Sequence, residues 1–532
     1  MGPFVKMTLR REILLIWISV GCIYLLTTRG YDDSEGKYHY AVARQILTRG
    51  ELSFDHPMPG VFTVAPNGRT YASHEIGNAL FQLPIAAVNV GLERRLAPRM
   101  KPEQLRFVTE FLRSLLGPLY CCTTVMLLYV CLRLIFAVPR KAAALGCLAF
   151  AFCTFYWEYI NGLYDGIPCS LLLMAGVLCL FQFQRTGDLK LFIVSIASLG
   201  LGVITRLTMV LPLAGAGLYI VLFTKDRRRA ARLALIGILI LLPFAAWQLY
   251  YNHLRTGSYL VSPVQSEQYA VDNALDGPFL AGLAGLLFSP GKSVLVYCPL
   301  ALLSLFCIPQ FWRKFPREAL FTIIVIVLWF LVHAKMRIWF AKWAWGPRHF
   351  VPVSPLLALP FAACSSAWLS KGRHKLLAAL ALAWGALLSI CSVTGSWFFR
   401  MALATQQGRA DQLLWSLTGN QAIDMIRGFG ENLRHIMGTL PYENIPGMSP
   451  TNVYASNTIS FWWNSAYYNH VPWYLLASAA LALILASIMS FTILWCAGDA
   501  ESGSKPGLKR LPFGTSSKSP GRTCPAPTSH PS

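Results

Sequence analysis

Three carboxylates fall within four positions in "GYDDSEGKYHYAVARQILTRG" (30–50), in a chain with only 24 Asp and Glu residues. They are Asp32, Asp33 and Glu35, and they follow the first apolar run. Clustered carboxylates raise one another's proton affinity, which suits a general base or a metal ligand. The residues that follow have helical spacing up to Gly50, so capping of a helix is the alternative. One cap needs one acid, and three therefore indicate chemistry.

A second acidic stretch, "FYWEYINGLYDGIPCSLLL" (155–173), places Glu158 near the outer end of one predicted span and Asp165 before the next. Acids at a membrane rim are costly and are functional candidates for that reason. Asp165 precedes Gly166 and Pro168, so a turn that starts a helix also explains it. Glu158 is the weaker of the two candidates.

Cations accompany these acids. Arg206 lies in the very short break between two apolar runs, and Lys292 follows "LLFSPG". Arg337 and Arg348 lie in the Trp-rich stretch "HAKMRIWFAKWAWGPRHFVPVSP" (333–355). An interfacial belt of aromatic rings and snorkelling cations is one explanation. Many cations at an outer rim indicate an anionic ligand instead, and the planar guanidinium fits phosphate well.

The composition requires a membrane. Of 532 residues, 55% are hydrophobic and only 13% are charged, with a mean hydropathy of +0.48. The net charge of +22 does not indicate nucleic acid, because the basic residues lie between apolar runs rather than on a soluble surface. They act as topology signals and phosphate contacts.

Apolar runs and basic loops predict about twelve transmembrane helices with both termini in the cytoplasm. The run 77–92 is short and contains a proline, and counting it as a span would move every later short basic loop outside. It is therefore predicted to be a surface helix on the outer face. The predicted spans are 12–28, 111–132, 142–160, 166–184, 190–204, 207–223, 233–251, 293–312, 319–334, 350–369, 376–394 and 473–496.

The fold class is therefore an all-α polytopic membrane protein with juxtamembrane helices in its first external segment. The predicted parts are a core over 1–394, an external loop over 395–472, a last span over 473–496 and a disordered cytoplasmic tail over 497–532. Within the core, 29–110 and 252–292 are predicted to be external.

These motifs as a set resemble the GT-C glycosyltransferases, a family of multi-spanning enzymes that includes the protein O-mannosyltransferases and the bacterial aminoarabinose transferases. The resemblance covers roughly residues 10–370. Besides the acid pair and the helix after it, the motifs that carry it are "NGRTYASHEIGNALFQLP", "YWEYINGLYDGIPCSLLL", "GLLFSPGKSVLVYCPL" and "WAWGPRHFVPVSPLL".

The resemblance implies a GT-C-like fold and transfer of a sugar from a polyprenyl-phosphate donor on the external face, with inversion. It implies an acidic general base, and Asp33 matches the motif best, followed by Asp32; many members carry Asp-Glu where this chain has Asp-Asp-Ser-Glu. Asp165 is the third predicted catalytic residue. The predicted substrate-binding residues are Glu35, Tyr38, His74, Glu75, Arg206, Lys292, Arg337 and Arg348.

Several questions stay open at this stage. No cofactor is certain, because the acids are able to hold a divalent metal ion but the cations are able to neutralise phosphate without one. The acceptor is a glycan, a lipid or a protein, and the expected location is the bacterial inner membrane. The aromatic stretch 451–469 suits either an acceptor site or interfacial anchoring. A transporter or flippase of a lipid-linked saccharide is the alternative function, although no internal repeat is evident.

Overall fold

The chain folds mainly into α-helices, as its sequence predicts. The computed structural model describes residues 7–30, 34–56, 62–263, 274–342, 344–370, 372–395, 397–409, 412–436, 461–463, 466 and 470–497. The predicted tail, beyond residue 497, and most of the aromatic stretch 451–469 lie outside the described residues.

Twenty α-helices lie within the described residues. They are α1 (Leu9–Thr27), α2 (Gly36–Arg49), α3 (Gly77–Leu96), α4 (Pro102–Ser114), α5 (Leu116–Leu134), α6 (Arg140–Phe152), α7 (Gly166–Thr186), α8 (Leu189–Val203), α9 (Val210–Phe223), α10 (Arg227–Thr256), α11 (Phe279–Phe288), α12 (Val294–Tyr297), α13 (Pro299–Lys314), α14 (Pro316–Lys335), α15 (Ser354–Trp368), α16 (Gly372–Thr394), α17 (Trp397–Gln406), α18 (Gln412–Trp415), α19 (Gln421–Ile436) and α20 (Trp473–Cys496). Short 3₁₀ turns cover Phe155–Asn161, Leu207–Met209 and Arg348–Phe350.

Six described helices are long and apolar enough to cross a membrane, and the chain is a multi-pass membrane protein. A seventh span results if the bent pair Arg140–Phe152 and Phe155–Asn161, which meet at 61°, counts as one. The six are Pro102–Leu134 (α4 continued by α5), Gly166–Thr186, Arg227–Thr256, Pro316–Lys335, Gly372–Thr394 and Trp473–Cys496.

The predicted number of about twelve spans is not confirmed. Helices also form at the five remaining predicted positions, but four of them, α8, α9, α13 and α15, have only 15, 14, 16 and 15 residues. The fifth, α1, has 19 residues but carries two arginines and a glutamate in its first turn. A helix that crosses a bilayer needs about 20 apolar residues.

The first predicted external segment contains a helix and a small sheet that share an apolar cluster with Ile204 and Tyr251. Helix α2 follows the acid cluster and ends at Gly50, which has the left-handed φ of 72° expected of a helix stop. Strands β1 (Ser53–Phe54), β2 (Phe62–Val64) and β3 (Thr70–Ala72) make an antiparallel sheet in the order β1-β3-β2. Strands this short show no alternation in sequence, so the sheet was not predicted.

Helix packing brings distant loops to one end of the bundle. Helix α1 lies along α20 and α5, α7 lies between α5 and α8, and α13 packs on α15. Buried apolar side chains such as Leu128, Phe150, Leu173, Phe181 and Trp329 fill the spaces between them. The segments before α2, before α7, before α9 and before α15 meet at this end, as the contacts below show.

Candidate active site

An ion pair between Glu35 and Arg348 joins the acid motif to the basic motif 313 positions later. Arg348 Nη2 donates to Glu35 Oε2, and Arg348 Cζ lies 4.2 Å from the centre of the Tyr164 ring. His74 Nε2 is 3.8 Å from the same carboxylate oxygen, and its ring centre is 5.7 Å from that of His39. The Glu35 and Arg348 side chains are 27% and 16% exposed, so the pair is largely buried but accessible from one side.

A second ion pair, between Asp165 and Arg206, lies beside the first. Arg206 Nη1 donates to both Asp165 carboxylate oxygens, at 2.9 and 3.0 Å. Arg206 Nη2 lies 3.1 Å from His349 Nδ1, and because a guanidinium only donates, the histidine nitrogen accepts. Asp165 is thus both the residue immediately before α7 and the partner of a cation.

The cations control the charge of both described acids. Burial raises the pKa of Glu35, but the Arg348 guanidinium and His74 lower that pKa more, to about 2. Burial also raises the pKa of Asp165, whereas Arg206 and Arg348 bring that pKa below its ordinary value. The sequence predicts that clustering raises the proton affinity of the acids. For Glu35, cations from distant segments lower the pKa instead.

Lys292 is a buried cation that lies close to Arg348. Its side chain is 1% exposed, and Nζ donates to the carbonyl oxygens of Lys342, at 3.2 Å, and Ala344. Burial lowers the pKa of Lys292, and the charge of Arg348 lowers it further, to about 7. No carboxylate pairs with Lys292 within the part of the chain that the structure describes. An anionic ligand would supply the missing negative charge.

Of the other predicted site residues, Asp32 and Asp33 lie outside the described residues. Tyr38 packs edge-to-face on Phe62 of β2, with ring centres 5.5 Å apart. Glu75 is buried and accepts from Ser262 Oγ at 3.4 Å.

Arg337 pairs with Asp276, and both side chains are about half exposed, at 45% and 52%. Its recorded contacts, which also include the Ala274 carbonyl oxygen at 2.8 Å, join two loops on the surface. The structure therefore does not bring Arg337 together with Arg206, Lys292 and Arg348 in the described contacts.

Glu158, the weaker acidic candidate, forms a buried structural contact. Its Oε1 accepts from Arg29 Nη2 at 3.0 Å and from Trp397 Nε1 at 2.7 Å. The backbone N–H of Arg29 also donates to Asn161 Oδ1 at 2.9 Å. These contacts fix the end of α1 immediately before the acid motif.

Gly162 allows the two acidic stretches to touch. A Cβ atom at this position would lie 2.8 Å from Ser34 Cβ and 2.8 Å from Tyr164 Cε2, closer than real Cβ atoms approach. Ser34 immediately follows Asp33, and Tyr164 is the ring beneath Arg348. The missing side chain of Gly162 therefore sets the spacing between the acid motif and the ring that supports Arg348.

The buried Arg255 at the end of α10 holds the loop that carries His74. Its Nη1 donates to three successive carbonyl oxygens, those of Ala72, Ser73 and His74, at 3.3, 2.9 and 2.9 Å. Its Cζ lies 4.1 Å from the centre of the Tyr251 ring. The loop between β3 and α3 is thus tied to a membrane-spanning helix.

Sequence reasoning missed three members of this site: His39, Tyr164 and His349. His39 lies four positions after Glu35, which places both on one face of α2 if the helix starts at Glu35. Tyr164 and His349 are the immediate neighbours of predicted site residues, so adjacency was the only available signal. Burial and the proximity of His74 lower the pKa of His39 to about 4, so it is neutral at neutral pH.

The described residues contain no group of three or more His, Cys, Asp or Glu side chains arranged to hold a metal ion. The described site contains two carboxylate–guanidinium pairs, three histidines (His39, His74 and His349) and a buried lysine. Such an arrangement can bind an anion and orient a polar group next to it.

No curated protein matches the chain. The solved structure of ArnT from Cupriavidus metallidurans bound to undecaprenyl phosphate aligns with a TM-score of 0.46 and 14% identity, over 85% of this chain and 83% of that one. Residues 107–251 match the family model described as dolichyl-phosphate-mannose-protein mannosyltransferase. The matched segment runs from α4 to α10 and includes Asp165 and Arg206, and over this segment the resemblance indicated by the motifs is confirmed.

Proposed function

We propose that this protein is an inverting glycosyltransferase that moves a sugar from a polyprenyl-phosphate donor to an acceptor on the external face of the membrane. The family model supports this proposal, because its description names a sugar carried on a lipid phosphate. Whether the acceptor is a glycan, a lipid or a protein stays open. The proposed location is the bacterial inner membrane, with both termini in the cytoplasm.

The observation that carries the proposal is the buried Lys292 next to Arg348. Two cations near one another repel unless a negative group lies between or beside them. Glu35 compensates Arg348, but Lys292 has only carbonyl partners within the described contacts. A phosphate that binds here would satisfy both cations, and a guanidinium offers it a planar fork of donors.

The chemistry needs little more than orientation, a base and charge neutralisation. The acceptor hydroxyl oxygen attacks the anomeric carbon while its proton passes to the carboxylate of Asp33, or of Asp32 in the adjacent register. The bond between that carbon and the phosphate oxygen breaks, and its electron pair stays on the lipid phosphate. Lys292 and Arg348 stabilise this leaving group, and Arg206 and Asp165 order the adjoining wall.

The proposal is tested with purified protein in detergent and a radiolabelled polyprenyl phosphate mannose. Release of polyprenyl phosphate that depends on Asp33 supports a transferase. An assay in reconstituted vesicles then distinguishes a transferase from a flippase, because a flippase would move the labelled lipid across the bilayer without breaking the bond between the sugar and the phosphate. Translocation with no cleavage under any acceptor mixture would overturn the proposed transfer.

The affinity for polyprenyl phosphate should fall as the pH rises from 7 to 9. A pKa of about 7 means that free Lys292 is protonated below pH 7 and loses its charge above it. Binding a phosphate then requires a proton, so the affinity drops by up to about tenfold per pH unit. The second pKa of a phosphate monoester is about 6, so titration of the ligand does not hide the loss of affinity between pH 7 and 9.

Calorimetry in buffers of different ionisation enthalpy checks this prediction, since proton uptake on binding should appear at pH 8. The control is Lys292→Met, which should bind more weakly at pH 7 and show no proton uptake. An equal affinity of the wild-type protein at pH 7 and pH 9 would contradict the role of Lys292.

Gly162→Ala should impair transfer and also destabilise the fold. The added methyl group pushes on Ser34 and on Tyr164, so the acid motif and the Arg348 support both move. Overpacking of this kind costs about 1–3 kcal/mol in unfolding free energy. A displacement near 1 Å at a reacting centre slows turnover by roughly 100-fold.

Thermal unfolding and transfer assays measure the two effects of Gly162→Ala. Gly91→Ala in α3 is the matched control, because nothing lies within 4 Å of its added methyl group. The control should transfer at the wild-type rate and gain slightly in stability, as alanine favours a helix. Equal behaviour of the two variants would show that Gly162 does not set the site's spacing.

A further inference from the structure

Gln421, the first residue of α19, bridges the loop that precedes Arg348. Its side chain is 2% exposed. Nε2 donates to the Ala344 carbonyl oxygen at 3.0 Å, and Oε1 accepts from the Gly346 N–H at 3.2 Å. The side-chain amide of Gln421 thus forms two hydrogen bonds with the backbone, as a neighbouring strand would. Gln421 lies about 75 positions after this loop in the sequence.

The Ala344 carbonyl oxygen is also an acceptor for Lys292 Nζ. Gly346, the other partner of Gln421, has a left-handed φ of 51° and is followed by Pro347 and Arg348. A Cβ atom on Gly346 would lie 2.7 Å from the Tyr297 ring, so this turn fits its surroundings closely. The bridge therefore connects the support of Lys292 to the turn that directs Arg348.

The predicted external loop 395–472, which contains Gln421, also contacts the backbone just before Lys292. The Leu414 carbonyl oxygen accepts from Ser289 Oγ at 2.6 Å and from the Gly291 N–H at 3.2 Å. A Cβ atom on Gly291 would lie 1.7 Å from the Leu413 carbonyl oxygen. This loop thus contacts the backbone before Lys292 through Leu413 and Leu414. It contacts the backbone before Arg348 through Gln421.

We propose that Gln421 is a positioning residue that holds the Ala344–Gly346 turn so that Lys292 and Arg348 bind one anion together. This inference rests on the proposed function, since it assigns a role within the same phosphate site. The new element is that Gln421 lies in the predicted external loop 395–472, outside the residues matched by the family model, and yet controls donor binding. Gln421 itself does not touch the reacting atoms.

The test measures the affinity of a purified polyprenyl phosphate for the full chain in detergent, with thermal unfolding recorded in parallel. Gln421→Ala removes both hydrogen bonds and should weaken binding by about 10- to 30-fold. Hydrogen exchange at Gly346 should rise in this variant. Gln406→Ala, at an exposed position of α17, is the matched control and should leave affinity and exchange unchanged.

Gln421→Glu supplies a readout that a merely structural role would not give. The carboxylate keeps the shape of the amide but replaces the donor to the Ala344 carbonyl with a negative charge near Lys292. We expect weaker binding and a shift of the Lys292 titration by at least about one pH unit upward, since an opposite charge favours the ammonium.

The outcomes separate the two proposals. If the wild-type chain binds no polyprenyl phosphate, the proposed function fails. If the wild-type chain binds and Gln421→Ala binds equally well with unchanged exchange at Gly346, the positioning role of Gln421 is wrong while the function stands. If Gln421→Ala does not fold, the dependence of polyprenyl phosphate binding on pH in Gln421→Glu decides. If the titration of Lys292 in that variant is not shifted, the inference is wrong.

Discussion

Arg348→Met is expected to lower sugar transfer by at least about 100-fold and the free energy of unfolding by about 2 kcal/mol. The large effect on transfer follows from the loss of the guanidinium that would hold the leaving phosphate. The effect on stability follows from Glu35, which keeps its negative charge in a largely buried position without its main partner. The destabilisation is less than for a fully buried pair, because Glu35 is 27% exposed.

The double variant Glu35→Gln/Arg348→Met separates these two effects. Removing both charges should restore much of the stability, since no uncompensated carboxylate is left, but transfer should stay low. Transfer rates and thermal unfolding of the wild-type protein, both single variants and the double variant form the required cycle. Recovery of transfer in the double variant would show that Arg348 acts only as the partner of Glu35.

The dependence of stability on pH gives an independent check. The pKa of Glu35 is about 2 in the folded protein, below its ordinary value of 4.5, so the unfolded chain binds a proton first as the pH falls. The contribution of this pair is therefore complete above pH 4.5 and is lost between pH 4.5 and about 2. Without Arg348, burial raises the pKa of Glu35, so the stability difference between wild-type protein and Arg348→Met should begin to shrink above pH 4.5 and continue to shrink down to about pH 2.

The sequence singled out the charged residues of the candidate site, but it did not show how they pair. Glu35, Asp165, Arg206, Lys292 and Arg348 stood out because charges are rare in this chain and costly near a membrane. The pairs Glu35–Arg348 and Asp165–Arg206 were not predictable. Their partners are far apart in sequence and meet only because the helices pack together. For the same reason, Arg337 resembled the other cations in sequence, yet it pairs with Asp276 on the surface.

Elements with weak local signals were missed altogether. The strands of the small sheet have two or three residues, too few for an alternating pattern. Gln421 is an uncharged residue in a segment without a motif, and its importance comes from two backbone groups near position 345. The long apolar helices were predictable, because about 20 residues of hydrophobic sequence leave few alternatives.

Asp33→Asn is expected to cause the largest loss, about 1,000-fold or more in the transfer rate, with donor affinity nearly unchanged. The amide keeps the size of the side chain but cannot accept the proton of the acceptor hydroxyl. Glu35→Gln is the informative comparison. Glu35 is already committed to Arg348 and has a pKa of about 2, so it is a poor base, and its loss should weaken donor binding instead.

Asp32→Asn decides the register of the motif. If Asp33 is the base, Asp32→Asn should reduce turnover by less than about tenfold, as expected for a nearby charge rather than a proton acceptor. The opposite ranking would assign the base to Asp32. Single-turnover rates with saturating donor measure the chemical step for both variants, and polyprenyl phosphate binding measures the donor side. Full activity in the double variant Asp32→Asn/Asp33→Asn would exclude both aspartates. It would leave Glu35 and Asp165, and either would have to act while paired with an arginine.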